Sequence, residues 1–135
     1  MVQIQWDEKY SVHVDKFDHQ HKYLILTLNE LIRAVVEKKD HDVLGKLLSH
    51  LVRYSEVHFA SEEEAMEKYS YPRWEEHRQE HQAFIQKVET FQQSFLSGKE
   101  TLGPAVLKFL YEWLLFHIQG SDAEYSQYFN EHGLL

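Results

Sequence analysis

Two residue pairs in this sequence have the spacing of one helical turn: His58 with Glu62, and His77 with His81. Residues i and i+4 of an α-helix project from the same face, so each pair could close on one metal ion. Imidazole nitrogens favour iron, copper or zinc over magnesium or calcium. A solvated pair has the same spacing, so neither pair is decisive alone. Their weight comes from where they fall, which is on the stripes that a helix should bury.

Four periodic segments carry those stripes. Leu24, Leu28, Leu31 and Val35 form one, and Leu44, Leu48, Leu51 and Ser55 a second. Phe84, Val88, Phe91 and Phe95 form the third, and Val106, Leu110 and Trp113 the fourth. Steps of three and four residues mark helices packed nearly antiparallel in a bundle. Extending each stripe by the same steps reaches His21 before Leu24, and His58 and Glu62 after Ser55. It reaches His81 and His77 before Phe84, and His117 after Trp113. A buried polar group costs several kcal/mol unless it is paired or bound to a metal. Four segments making that substitution point to a shared centre.

The breakers set the elements. Tyr71-Pro72, Ser97-Gly98, Gly103-Pro104 and Gly133 interrupt an otherwise helix-forming chain. The expectation is an all-α fold: an antiparallel up-down-up-down four-helix bundle after an irregular N-terminal arm. One domain over residues 1–135 is expected, with the arm at about 1–17 and helices at about 18–38, 40–69, 72–96 and 104–129. In that topology the six candidate residues meet at one end of the bundle. His13, His19, His41, His50 and His132 fit no stripe as well and are read as surface histidines.

A second bridging carboxylate would complete a two-metal cage, and Asp122 is the candidate. It stands five residues after His117, roughly 140° away on a regular helix. The inward phase of the fourth segment runs Val106, Leu110, Trp113, His117, then resumes one residue late as Asp122, Tyr125, Phe129. Gly120 and Ser121 fill the gap. One extra residue is the mark of a π-type bulge, which would turn Asp122 inward.

Composition narrows the classes. The chain has 135 residues and a formal net charge of −8, which disfavours nucleic acid and anionic membranes as partners. It has no cysteine, so thiolate metal sites and disulfides are excluded. No stretch approaches the ~20 apolar residues of a membrane span, and the N-terminus does not read as a signal peptide, so a cytoplasmic protein without membrane insertion is expected. None of the histidines has Glu three residues earlier, so the Glu-x-x-His pattern of carboxylate-rich di-iron bundles is missing.

These residues resemble the hemerythrin family. The matching pieces are FDHQH around His21, HFASEEEAM around His58 and Glu62, HRQEH from His77 to His81, and WLLFHIQGSD around His117 and Asp122. WDEKYSV is similar to the family's opening arm. The resemblance implies a non-haem centre of two iron ions that binds O2 reversibly, with an oxo or hydroxo bridge. It implies His77, His81 and His117 on one iron, His21 and His58 on the other, and Glu62 and Asp122 across both. It also implies that Phe59, Trp113 and Gly120 line the O2 pocket. Gly120 and Ser121 stand where some members carry a bulky apolar residue, so a more open pocket and faster autoxidation are expected.

The expected function is O2 storage, delivery or buffering rather than enzymatic turnover. A sensing module or an enzyme acting on peroxide or nitric oxide is the alternative. A reductase or an O2-consuming enzyme is the expected class of protein partner, and a monomer or weak oligomer the expected state. Asp18, Glu63 and Glu80 are near enough to support the ligating histidines, although Glu63 and Glu64 read first as a solvated face.

Overall fold

The computed structural model describes residues 3–135, and no strand occurs among them. The first two residues of the expected arm lie outside the described residues. A short 3-10 turn, Glu8–Tyr10, sits within the arm. Four long rods follow: α1 (Asp15–Val36), α2 (His41–Lys68), α3 (Trp74–Leu96), and a fourth built from α4 (Pro104–His117) and α5 (Ala123–Glu131). A π-helical turn, Ile118–Asp122, joins the last two.

Side-chain pairs fix the topology. His58 near the end of α2 meets Gln20 near the start of α1, and His41 at the start of α2 meets Phe95 at the end of α3. Phe91 meets Phe109, and His81 meets His117, so α3 and α4 also run antiparallel. The bundle is up-down-up-down.

Each rod ends for the same reason. Lys38, Ser70, Gly98 and Gly133 adopt positive φ. The next residue's N–H then turns back to the carbonyl of Ala34, Met66, Ser94 or Phe129. That left-handed cap satisfies carbonyls the helix leaves open.

The first helix begins earlier than expected, at Asp15 rather than about 18. Asp18 holds the arm in place: it accepts from Val12 N at 2.8 Å and from Ser11 Oγ at 2.6 Å. With its carboxylate committed there, Asp18 is not a partner of the site histidines. Further out, Asn29 exchanges two hydrogen bonds with the backbone of Ile4. The third helix starts at Trp74, after a turn through Pro72 and Arg73, rather than at Pro72.

Two apolar clusters fill the interior. The larger holds Leu24, Leu28, Leu31, Leu48, Val88, Phe95 and Leu110, among others. The smaller holds Val12, Val14, Phe17, Met66, Tyr71, Tyr125 and Phe129. Each fully buried side chain of this size contributes about 1.5–3 kcal/mol. Between the clusters lies a layer of buried polar side chains.

Candidate metal centre

That layer contains all seven residues singled out as donors. His21 comes from the start of α1, His58 and Glu62 from the end of α2, His77 and His81 from the start of α3, and His117 from the end of α4. Asp122 closes the π turn. None is more than 6 % exposed. The π turn is what admits Asp122: the extra residue is pushed outward, and Ile118 and Asp122 are both buried.

Their donor atoms form two groups, Glu62-His77-His81-His117-Asp122 and His21-His58-Glu62-Asp122. Both carboxylates belong to both groups. Asp122 faces His77 at 2.7 Å and His117 at 3.0 Å through Oδ1, and His21 at 3.0 Å through Oδ2. Glu62 Oε1 lies 3.2 Å from His58 Nε2 and 3.3 Å from His81 Nε2. His81 Nε2 and His117 Nε2 are 3.0 Å apart. Six-coordinate metals with bonds of about 2.1 Å place neighbouring donors roughly 3.0 Å apart.

His81 Nε2 and His117 Nε2 face each other, and the remaining donors aim at the space between them. Among the described residues, His21 Nδ1 and Nε2, His58 Nε2, Glu62 Oε1, His77 Nε2 and both Asp122 oxygens are buried without a hydrogen-bond partner. The nitrogen-to-oxygen distances are short, yet the ring N–H directions miss the oxygens. Each orphaned buried group costs about 1–3 kcal/mol. Metal ions in the cage would satisfy them, so the residues fit such a group.

The outer ring nitrogens are held from behind. His81 Nδ1 meets Glu63 Oε2 at 3.0 Å, and His117 Nδ1 meets Glu80 Oε2 at 3.1 Å. Ser121 Oγ donates to the same Glu80 oxygen at 2.6 Å. His58 Nδ1 donates to Gln20 Oε1 at 2.6 Å. Such contacts fix the ring orientation and the tautomer. Tyr125 donates its hydroxyl to Glu62 Oε2 at 2.5 Å.

Charge in the cage is strongly coupled. Burial pushes the His21 pKa down, but contact with Asp122 and Glu62 outweighs it and raises the value to about 9. For His117, burial is overcome by the charge and contact of Asp122 and by Glu80, and the value rises to about 10. Burial dominates at His58 and lowers it. Burial opposes ionisation of Glu62 and Asp122, but the surrounding imidazoles hold both well below the usual carboxylate range. Contact with His117 takes Glu80 down to about 2.

Apolar groups close one side. Phe59 stacks on the His81 ring at 3.9 Å, and Trp113 stacks on His117 at 4.4 Å and on Phe84 at 4.0 Å. Beyond them is a small cavity of about 10 Å³, lined in part by Leu24, Leu28, Leu51, Phe59, Trp113 and Leu114. Its one polar neighbour, Ser55, donates its hydroxyl to Leu51 O.

Gly120 is not part of that lining. It is exposed, and a Cβ built there would meet nothing within 4 Å. The π turn that brings Asp122 inward carries Gly120 outward, so the expected opening of the pocket at this position is corrected.

The sequence beneath this geometry matches a family model. The description "Hemerythrin HHE cation binding domain" covers residues 12–129. The chain belongs to the hemerythrin family. A bacteriohemerythrin of Stenotrophomonas maltophilia is 31 % identical, over 98 % of this chain and 85 % of that protein. A myohemerythrin of Theromyzon tessulatum is 31 % identical, over 90 % of this chain and 89 % of that protein. A crystal structure of wild-type hemerythrin superposes with a TM-score of 0.88 at 27 % identity, covering 93 % of this chain and 97 % of that one. In this hemerythrin the helix order and the polar layer are the frame that any metal chemistry must use.

Sequence reasoning left four supporting residues undetected or unassigned. Glu63 is half-buried against His81 rather than part of a solvated face, whereas Glu64 is exposed. Glu80 was a candidate without a partner. Gln20 and Tyr125 gave no donor signal, although Tyr125 continues the inward phase of Asp122 and a buried tyrosine needs a partner for its hydroxyl. His13, His19, His41, His50 and His132 are all exposed.

Proposed function

We propose that this hemerythrin binds O2 reversibly at a non-haem di-iron centre, and that it stores, delivers or buffers O2 rather than turning over a substrate. The observation that carries the reading is the pair of donor groups sharing Glu62 and Asp122. On this reading His77, His81 and His117 would hold one iron and His21 and His58 the other, with Glu62 and Asp122 available to both. When bound, the iron pair supplies two electrons to O2 and recovers them on release.

The chain's own residues favour binding over cleavage. Five neutral imidazoles bring less negative charge than a carboxylate-rich set, which disfavours high oxidation states. Three imidazoles crowd one position and two the other, so the second is the more open to a ligand. Phe59 and Trp113 shield the centre, and the cavity beyond them is apolar and no larger than about one water-sized probe. Tyr125, the nearest phenol, commits its proton to Glu62 Oε2. These arrangements limit the water and protons that convert bound O2 to a leaving reduced species.

No described helix is long and apolar enough to cross a membrane. A reductase that restores the ferrous pair, or an enzyme that consumes the O2, is the partner class that fits a carrier.

The reading is tested by an optical cycle. The purified protein is assayed for iron, reduced without air, exposed to O2, and then evacuated. Colour that develops with O2 and bleaches on its withdrawal, with two irons per chain, is the expected result. Immediate conversion to a ferric form that evacuation does not reverse would refute it.

A further inference from the structure

The two donor groups differ in what stands behind them. In the three-histidine group, His81 leans on the Glu63 carboxylate at 3.0 Å and His117 on the Glu80 carboxylate at 3.1 Å. In the two-histidine group, His58 leans on the neutral amide of Gln20 at 2.6 Å, and His21 Nδ1 has no partner. Two negative charges therefore back one side of the cage and none backs the other. Shared Glu62 and Asp122 do not alter the contrast, because they serve both groups equally.

A carboxylate behind a ligating imidazole makes the ring a stronger donor and adds negative charge to the site. Both effects favour the higher oxidation state of a metal on that ring. An amide carbonyl orients the ring equally well but adds no charge. Glu63 and Glu80 are partly exposed, with side chains 25 % and 44 % accessible, so solvent screens part of their field. The contact with the ring itself is short and is retained. Ser121 holds Glu80 from the other side, which keeps that carboxylate in register with His117.

We propose that Glu63 and Glu80 are positioning residues that polarise the metal pair, so that the three-histidine position is oxidised first and reduced last. This rests on the di-iron reading above. Removal of one electron by an outer-sphere oxidant then leaves the ferric ion behind His81 and His117, and the ferrous ion on His21 and His58. The more open position thus keeps its electron until O2 arrives.

The test uses the iron-loaded protein and reads both one-electron potentials by spectroelectrochemistry. Glu63→Gln and Glu80→Gln keep an acceptor for the ring N–H and remove only the charge. Their combination should shift the first step toward the ferrous state by about tenfold in the equilibrium, or ~59 mV for one electron, and move the second step less. Gln20→Glu adds charge behind His58, and should shift mainly the second step toward the ferric state. Iron content of each variant is counted in parallel. Two irons per chain with both potentials unmoved, or with the two steps responding in the reverse order, would overturn the proposal while leaving O2 binding intact. An unmodified protein that holds no iron pair would overturn both.

Discussion

His117 Nε2 lies 3.0 Å from Asp122 Oδ1, although Asp122 stands five positions further along the chain. On a regular helix they would diverge by roughly 140°. The π turn at Ile118–Asp122 removes that divergence. It also places Asp122 between His21 on one side and His77 on the other, at 3.0 and 2.7 Å. One inserted residue therefore adds a second shared carboxylate to two donor groups that already share Glu62.

The expelled residue should be replaceable. Gly120→Ala meets no neighbour, and alanine is the better helix former. It should stabilise the protein by up to about 1 kcal/mol. Gly120→Leu should leave the rate of O2 dissociation within about twofold of the parent, because the position faces outward. Stopped-flow release of O2 checks this, and a tenfold change would restore Gly120 to the pocket.

Tyr125 is the only described side chain that donates a hydrogen bond to Glu62 Oε2 from the smaller apolar cluster. Tyr125→Phe keeps the ring and removes the donor. The metal-free protein should lose about 1–3 kcal/mol, the cost of an unmet buried acceptor. Urea unfolding of the two proteins at one pH measures the difference, and equal midpoints would show that the bond contributes nothing.

Phe59 covers His81 face to face. Phe59→Ala should remove that cover and admit water to the apolar side of the centre. Loss of the O2-bound form to the ferric state should accelerate by at least about tenfold, and the fold should lose about 3–5 kcal/mol. The decay of the oxygenated absorption band gives the rate. An unchanged rate in a folded variant would move the protective role elsewhere, with Trp113 the next candidate.

The pH response should depend on whether metal is present. In the metal-free protein His21 and His117 have values raised to about 9 and about 10, above the ordinary 6.5. A raised imidazole contributes stability that is full below about pH 6.5 and is lost as pH climbs through the folded value. Metal-free protein should therefore weaken between about pH 7 and 10. His58, lowered by burial, works in the opposite sense and only toward acid. Iron binding requires neutral imidazoles, so the loaded protein should instead lose metal on acidification. Denaturant midpoints across pH 6–10, with and without iron, would separate the two curves. A metal-free midpoint that rises with pH contradicts the assignment.

The helices and the cage were readable from sequence because apolar steps of three and four carry phase, and phase carries direction. His21, His58, His77, His81 and His117 were visible as interruptions of those steps, and Asp122 as a one-residue delay. Phase cannot say which side chain of a neighbouring helix stands behind a ring. Glu63 looks solvated until α3 is laid against α2, and Gln20 looks unremarkable until α1 meets the end of α2. The early start of α1 was hidden because Asp18 accepts from the arm, a contact without periodicity. Gly120 was misplaced for a simpler reason. A bulge that turns one residue inward must turn another outward, and sequence alone did not show which.

The most direct test of a shared two-metal cage is anaerobic titration of the metal-free protein with ferrous iron, followed by the same titration of Asp122→Ala. The parent should saturate at two irons per chain, and the variant should hold fewer and lose the reversible colour with O2. Saturation of the parent at a single iron, or a variant that still binds two irons and O2 reversibly, would contradict a centre joined through Asp122.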